Sequence, residues 1–175
     1  MSQNKNEFKK ILMLLDGFQP SINAADCAIT LVKKEQNSGK PRLLIALHVV
    51  FSQLGYAYSP AGAFGSGGLA TPPAVKTLLE DAKKEAQQWF NKIKEKIDNN
   101  DNSYAETNNN NIQLQTEVIV TATSIISTII EYAKNKDVDL IVTGTRGRSQ
   151  FKNLLLGSVA SGVIIHAACP VMTVK

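Results

Sequence analysis

The stretch DLIVTGTRGRSQFKNLLLGSVASGVIIHAACPVMTVK, Asp139 to Lys175, decides how the chain is read. It opens with a short apolar run closed by Gly144, the pattern of a fully buried strand. SVASGVIIHAA follows as a helix, and PVMTVK returns as a short strand. Strand, helix and strand in that order make one unit of a parallel sheet. The connection carries glycines at 144, 147 and 157, with Ser158 after the last and Arg146 and Arg148 between them. An ordinary turn uses one or two glycines. Three, with a serine at a helix start, suit an anion, because glycine lets bare N–H groups approach a ligand and a helix N-terminus adds unpaired donors. Arg146 and Arg148 add charge-assisted bonds. The same spacing also fits a glycine-rich turn with Ser158 as N-cap.

Upstream, the alternation repeats. KKILMLLDG reads as a buried strand ended by Asp16-Gly17. SINAADCAITLVKKEQNSG follows with helical spacing, Ser21 as N-cap and Gly39 as stop. RLLIALHVV is a second strand. A long amphipathic helix runs from about Ala74 to Ile97, with Leu78, Leu79, Ala82, Ala86, Trp89, Phe90, Ile93 and Ile97 on its apolar stripe. IQLQTEVIV alternates, as a strand with one wetter face does, and TSIISTIIEYAKNKDV is a helix. Strands alternating with helices throughout predict a doubly wound α/β fold: a five-stranded parallel sheet with helices on both faces. The expected organisation is a single domain over 1–175, with loop insertions at 54–73 and 99–111.

Composition narrows the function. The chain has 175 residues, 43% hydrophobic and 19% charged, with a formal net charge of +4. Its lysines are interleaved with acids on helix faces, and no aromatic-basic motif accompanies them, so nucleic acid is an unlikely partner class. No run of 18 apolar residues predicts a membrane span, and MSQNKNEFKK has no signal-peptide core, so a cytoplasmic location is expected. Cys27 and Cys169 sit in apolar contexts and are read as buried free thiols. There is no phosphate-binding G-x-x-x-x-G-K-[ST], no G-x-S-x-G, and no His/Cys cluster with metal spacing. GSGGLA at 65–70 matches a dinucleotide fingerprint in form only, since no strand leads into it.

In open α/β sheets, ligands sit beyond the carboxyl ends of the strands where strand order reverses. If the first and fourth strands neighbour each other there, Asp16 and Gly144 share a crevice. Asp16 then either caps a turn or bonds a base or ribose hydroxyl.

These residues resemble the universal stress protein family. LLDGFQPSINAADCA, LHVV and the stretch from Ile129 to Val174 carry the resemblance, with the element G-x2-G-x9-G-[ST] present as Gly144, Gly147, Gly157 and Ser158. In the family this element marks the ATP-binding members. The resemblance implies the strand order 3-2-1-4-5 and ATP, with or without Mg2+, over strands 1 and 4. It implies that Asp16, Val49, Thr143 and Gly144 border the adenosine, and that Gly147, Gly157, Ser158 and Val159 hold the phosphates. Arg146 lies at a position that varies among relatives. His48 and His166 match positions where histidine is common, and packing is the role expected of both. It also implies a homodimer through the C-terminal strand Pro170–Lys175. Two positions depart from the family: Phe18 replaces a small polar residue, and TSI at 123–125 replaces a G-x-P. Tyr56, Tyr58 and Phe64 in the 54–73 insertion suit either a lid or an unstructured loop. The expected function is nucleotide-dependent sensing in a stress response. The alternatives are slow ATP hydrolysis or autophosphorylation, and a partner-binding scaffold holding AMP or a cyclic nucleotide.

Overall fold

The computed structural model describes residues 8–34, 42–52, 73–98, 112–147 and 156–175. The elements are β1 (Lys10–Leu14), α1 (Gln19–Lys34), β2 (Arg42–Phe51), α2 (Pro73–Asp98), β3 (Ile112–Thr121), α3 (Ile125–Asn135), β4 (Leu140–Gly144), α4 (Ser158–His166) and β5 (Val171–Val174). The insertions read at 54–73 and 99–111, with the three aromatics of the first and the stop at Gly39, fall outside the described residues apart from Pro73, which opens α2.

All the strand pairs are parallel and the sheet order is β3-β2-β1-β4-β5. The apolar runs explain it. A strand covered on both faces has no polar side to show, and every residue of β4 is buried. Side chains alternate across the sheet, so β1 feeds two cores. Ile11, Met13 and Leu15 join Ala24, Ala28, Val32, Phe90 and Ile93 beneath α1 and α2. Leu12 and Leu14 join Ile129, Tyr132 and Val163 beneath α3 and α4. The alternating β3 lies at one edge, where Gln113 and Thr116 are exposed.

Local chemistry departs from the sequence reading at three points. The first helix starts two residues before Ser21, so Ser21 is inside its first turn rather than its N-cap. There its hydroxyl donates to Phe18 O at 2.8 Å and accepts from the Asp16 N–H at 3.3 Å. Where the family motif has G-x-P, Ser124 caps α3 by accepting from the Ser127 N–H at 3.4 Å. Thr128 donates to Thr121 Oγ1 at 2.8 Å beside it. Cys27 and Cys169 are half-buried free thiols rather than fully buried ones, with Cys27 Sγ 3.7 Å from Met172 Sδ. Burial pushes the Cys169 thiol up from its ordinary pKa. Burial first, and then the hydrogen bond to Glu117 at 2.6 Å, holds the Tyr132 hydroxyl well above the usual phenol range. Among the described residues, no helix is long and apolar enough to cross a membrane.

Candidate functional site

Strand order reverses between β1 and β4: the chain passes from β1 to β2 on one side, and β4 pairs with β1 on the other. A crevice at the carboxyl ends of these strands follows from that topology. The structure holds a cavity of about 400 Å3 there, within the size range of small-molecule sites. All nine sequence-predicted positions line it: Asp16, Val49, Thr143, Gly144, Arg146, Gly147, Gly157, Ser158 and Val159. His166, at the end of α4, does not.

The connection after β4 is drawn together at its base. The Gly157 N–H donates to Thr145 O at 2.8 Å, and the Thr145 N–H donates to Val174 O at 2.7 Å. Gly144–Gly147 therefore stands beside the start of α4, although 148–155, with Arg148, lie outside the described residues.

The three glycines are glycine for three different reasons. At Gly144 an added Cβ would stand 2.7 Å from Pro20 C and Ser21 N, so α1 can approach β4 only over a bare Cα. At Gly147 the space is taken by the Asp16 carboxylate, which lies where a side chain would begin. Gly157 differs from both. Its φ of −75° and ψ of 160° suit any residue, and an added Cβ would meet nothing nearer than 3.5 Å. Among the described residues a side chain there would make only ordinary contacts, with Thr145, Arg146 and Gly147.

Gly157 is the N-cap of α4, and among the described residues no side chain caps the helix. Ser158 is the first helical residue rather than the N-cap, and it is exposed. The sequence alternative of a turn capped by Ser158 is thus replaced by a helix start at Gly157 that faces a cavity, with no side-chain cap among the described residues. Its orphan N–H groups and positive end are suited to an anion.

Across the cavity, Asp16 lies two residues beyond the end of β1. Its Oδ1 accepts from the Phe18 N–H at 3.0 Å, closing a tight turn through Gly17 at φ 82°. Leu14, Leu47, Val49, Ile125, Ile129 and Val159 supply apolar wall. Thr143 is buried, with its hydroxyl 3.3 Å from Gly144 O.

Sequence reading missed one whole wall. Leu78, Asp81, Ala82 and Glu85 of α2 line the cavity, one helical turn apart in two pairs. Leu78 and Ala82 belong to the apolar stripe already visible in the sequence. Asp81 and Glu85 look like ordinary solvated acids, and nothing in their spacing says where the helix end will lie. His48 was read as packing, and it is buried, with Nδ1 2.7 Å from Leu15 O, yet it also lines the cavity. Among the described residues, no group of three or more His, Cys, Asp or Glu converges on a point.

Comparison with known proteins places this geometry. The chain is 30% identical over 175 residues to universal stress protein YxiE of Bacillus subtilis, covering 96% of this chain and 99% of that one. Hypothetical protein MJ0577 has a solved structure that matches with a TM-score of 0.67 at 22% identity, covering 96% of each chain. Two further solved structures of the same fold hold nucleotides. One is a universal stress protein in complex with cAMP (TM-score 0.60, 18% identity, 96% and 97% covered), and the other an Arabidopsis thaliana family protein with AMP bound (TM-score 0.53, 18% identity, 95% and 91% covered). The model of the universal stress protein family matches residues 7–175. This chain belongs to the universal stress protein family.

Proposed function

We infer that the cavity binds ATP and that the chain works by nucleotide occupancy, sensing or signalling in a stress response rather than turning substrate over quickly. The observation that carries this is the start of α4 at Gly157, where no described side chain caps the helix and neither the backbone conformation nor the described neighbours require a glycine. A phosphate group in the cavity in front of Gly157 meets the helix N–H donors. Asp16, Val49, Thr143 and Gly144 border the adenosine in this reading, and Gly147, Gly157, Ser158 and Val159 hold the phosphates, with Arg146 beside them. The nucleotide-bound relatives support the ligand class. Magnesium, where present, arrives on the phosphate oxygens, since that ion keeps most of its waters and needs few protein ligands.

The Ser158 hydroxyl is exposed at the helix start and donates to a phosphate oxygen in this reading. Ser158→Ala should lower ATP affinity roughly 10- to 150-fold, the loss expected for one hydrogen bond to a charged group of about 1.5–3 kcal/mol. Calorimetric titration checks it; wild-type affinity in the variant would remove Ser158 from the phosphate site.

One observation favours slow hydrolysis as a second reading. The loop sequence itself has no carboxylate, but the fold brings Asp16 against Gly147. A carboxylate at the border of the adenosine and phosphate halves is a candidate to orient water. An Asp16→Asn protein that binds ATP and releases phosphate at the wild-type rate would dispose of it.

Dimerisation is the remaining part. β5 is an edge strand of the described sheet. The Ile141 N–H donates to Pro170 O at 3.0 Å and the Thr145 N–H to Val174 O at 2.7 Å. Residues 170, 172 and 174 thus turn their backbone groups toward β4, and Val171 and Thr173 turn theirs outward. Ile165 beside this edge is 72% exposed and Ile164 44%. A two-fold pairing of β5 edges satisfies the outward groups and covers the isoleucines. Thr173→Pro removes an outward donor without touching the β4 ladder, so it should yield a monomer by light scattering at micromolar concentration. A dimer of unchanged mass would place the interface elsewhere.

A further inference from the structure

We propose that Trp89 is a positioning residue for the adenosine half of the cavity: lodged against Gly17 and His48, it fixes the turn that aims Asp16. The inference rests on the nucleotide reading of the cavity given above.

Trp89 is the chain's only tryptophan, half-buried on α2, and it stands behind the cavity wall rather than on it. Its indole touches the residue after Asp16. An added Cβ on Gly17 would fall within 2.9 Å of Trp89 Cη2 and closer still to Cζ2 and Cε2. Gly17 has a φ of 82°, so the turn there is left-handed as well as covered. The same indole meets the His48 ring edge to face, with centroids 5.1 Å apart and an interplanar angle of 85°. His48 in turn holds the residue before Asp16, with Nδ1 2.7 Å from Leu15 O. A carbonyl only accepts, so Nδ1 carries the proton and the ring orientation is fixed.

Asp16 is therefore gripped from both sides: Leu15 through His48, and Gly17 directly. Within that grip its carboxylate is committed at Oδ1 to the Phe18 N–H, and the group leans on Gly147. Asp16 has little freedom as long as the indole is in place. If Trp89 merely filled a core gap, its removal would weaken every function of the fold alike. A positioning role weakens the adenosine half selectively.

The test uses the full chain stripped of nucleotide, as wild type, Trp89→Ala and Trp89→Phe. Adenosine and inorganic tripolyphosphate are titrated separately by calorimetry, and tryptophan emission of the wild type is followed in parallel. Adenosine should shift the emission and tripolyphosphate should leave it unchanged. Trp89→Ala should bind adenosine about tenfold more weakly, the loss of one well-placed hydrogen bond, and tripolyphosphate within about twofold of wild type. Trp89→Phe, which restores a ring edge for His48, should recover most of the adenosine affinity. Equal weakening of both ligands, or unaltered adenosine binding, overturns the proposal. If Trp89→Ala fails to fold, Trp89→Leu keeps more volume without the ring and takes its place. If the wild type binds neither ligand, the nucleotide reading itself has failed. The grip is then read by hydrogen exchange without ligand: the Phe18 amide should exchange faster in the Ala variant while Leu12–Leu14 do not, and an unchanged Phe18 amide counts against it.

Discussion

A Gly157→Val protein is expected to fold as the wild type does and to bind ATP about 100-fold more weakly, a loss of about 2.7 kcal/mol. Both halves follow from the same geometry. With φ at −75° and ψ at 160°, Gly157 is in an extended conformation that valine favours. Among the described residues the nearest atoms to a Cβ are Thr145 O at 3.5 Å, Arg146 Cα at 3.6 Å and Gly147 N at 3.9 Å, all ordinary contacts. The described neighbours therefore admit a side chain. A phosphate does not, because the isopropyl group occupies the space in front of the α4 N–H donors. Thermal denaturation within a few degrees of wild type, with calorimetric affinity reduced as stated, is the expected pair of results. A folded variant with unchanged affinity would place the phosphates away from Gly157.

Gly144→Ala should fail for the opposite reason. Its Cβ would stand 2.7 Å from backbone atoms of Pro20 and Ser21, and backbone cannot swing aside as a flexible side chain can. Relief requires moving the start of α1 away from β4, which strips packing from a core that holds Ala24, Ala25 and Val142 at no exposure. Overpacking of this kind costs about 1–3 kcal/mol, and the upper end is expected where the contact is backbone. Urea denaturation of the apoprotein measures it without reference to any ligand. A loss below about 0.5 kcal/mol would mean that α1 is looser on β4 than the structure shows. Together the two variants separate a glycine the fold needs from one it does not.

Most of the architecture was legible because the strands are apolar enough to be recognised as buried on both faces and the helices between them carry clean stripes. The pattern from Asp139 to Lys175 alone gives a strand, a connection, a helix and a strand, and the structure differs only at their ends. The strand order came from resemblance, since a parallel sheet with the same elements can be threaded in other orders. The candidate site was legible where chemistry is local, in the glycine spacing and in Asp16-Gly17 at a strand end. It was not legible where it depends on tertiary placement. Asp81 and Glu85 reach the cavity only because α2, packed on the sheet through its later turns, carries its earlier turns to the cavity, and Asp16 meets Gly147 across 131 positions of sequence that carry no sign of the contact. The reason for each glycine was equally hidden. Spacing suggested one shared purpose, whereas packing explains Gly144, the Asp16 carboxylate explains Gly147, and no described neighbour demands a glycine at 157.

The central claim, that ATP sits at the β1–β4 switch point with its phosphates on the start of α4, is tested most directly by titrating the 15N-labelled full chain with ATP and mapping the amide shifts. Saturable shifts at Gly144, Gly147, Gly157, Ser158 and Val159, with smaller ones at Asp16 and Val49, are the predicted result. Amides that stay unmoved at these positions up to millimolar ATP, or saturable shifts confined to another face of the protein, would contradict it.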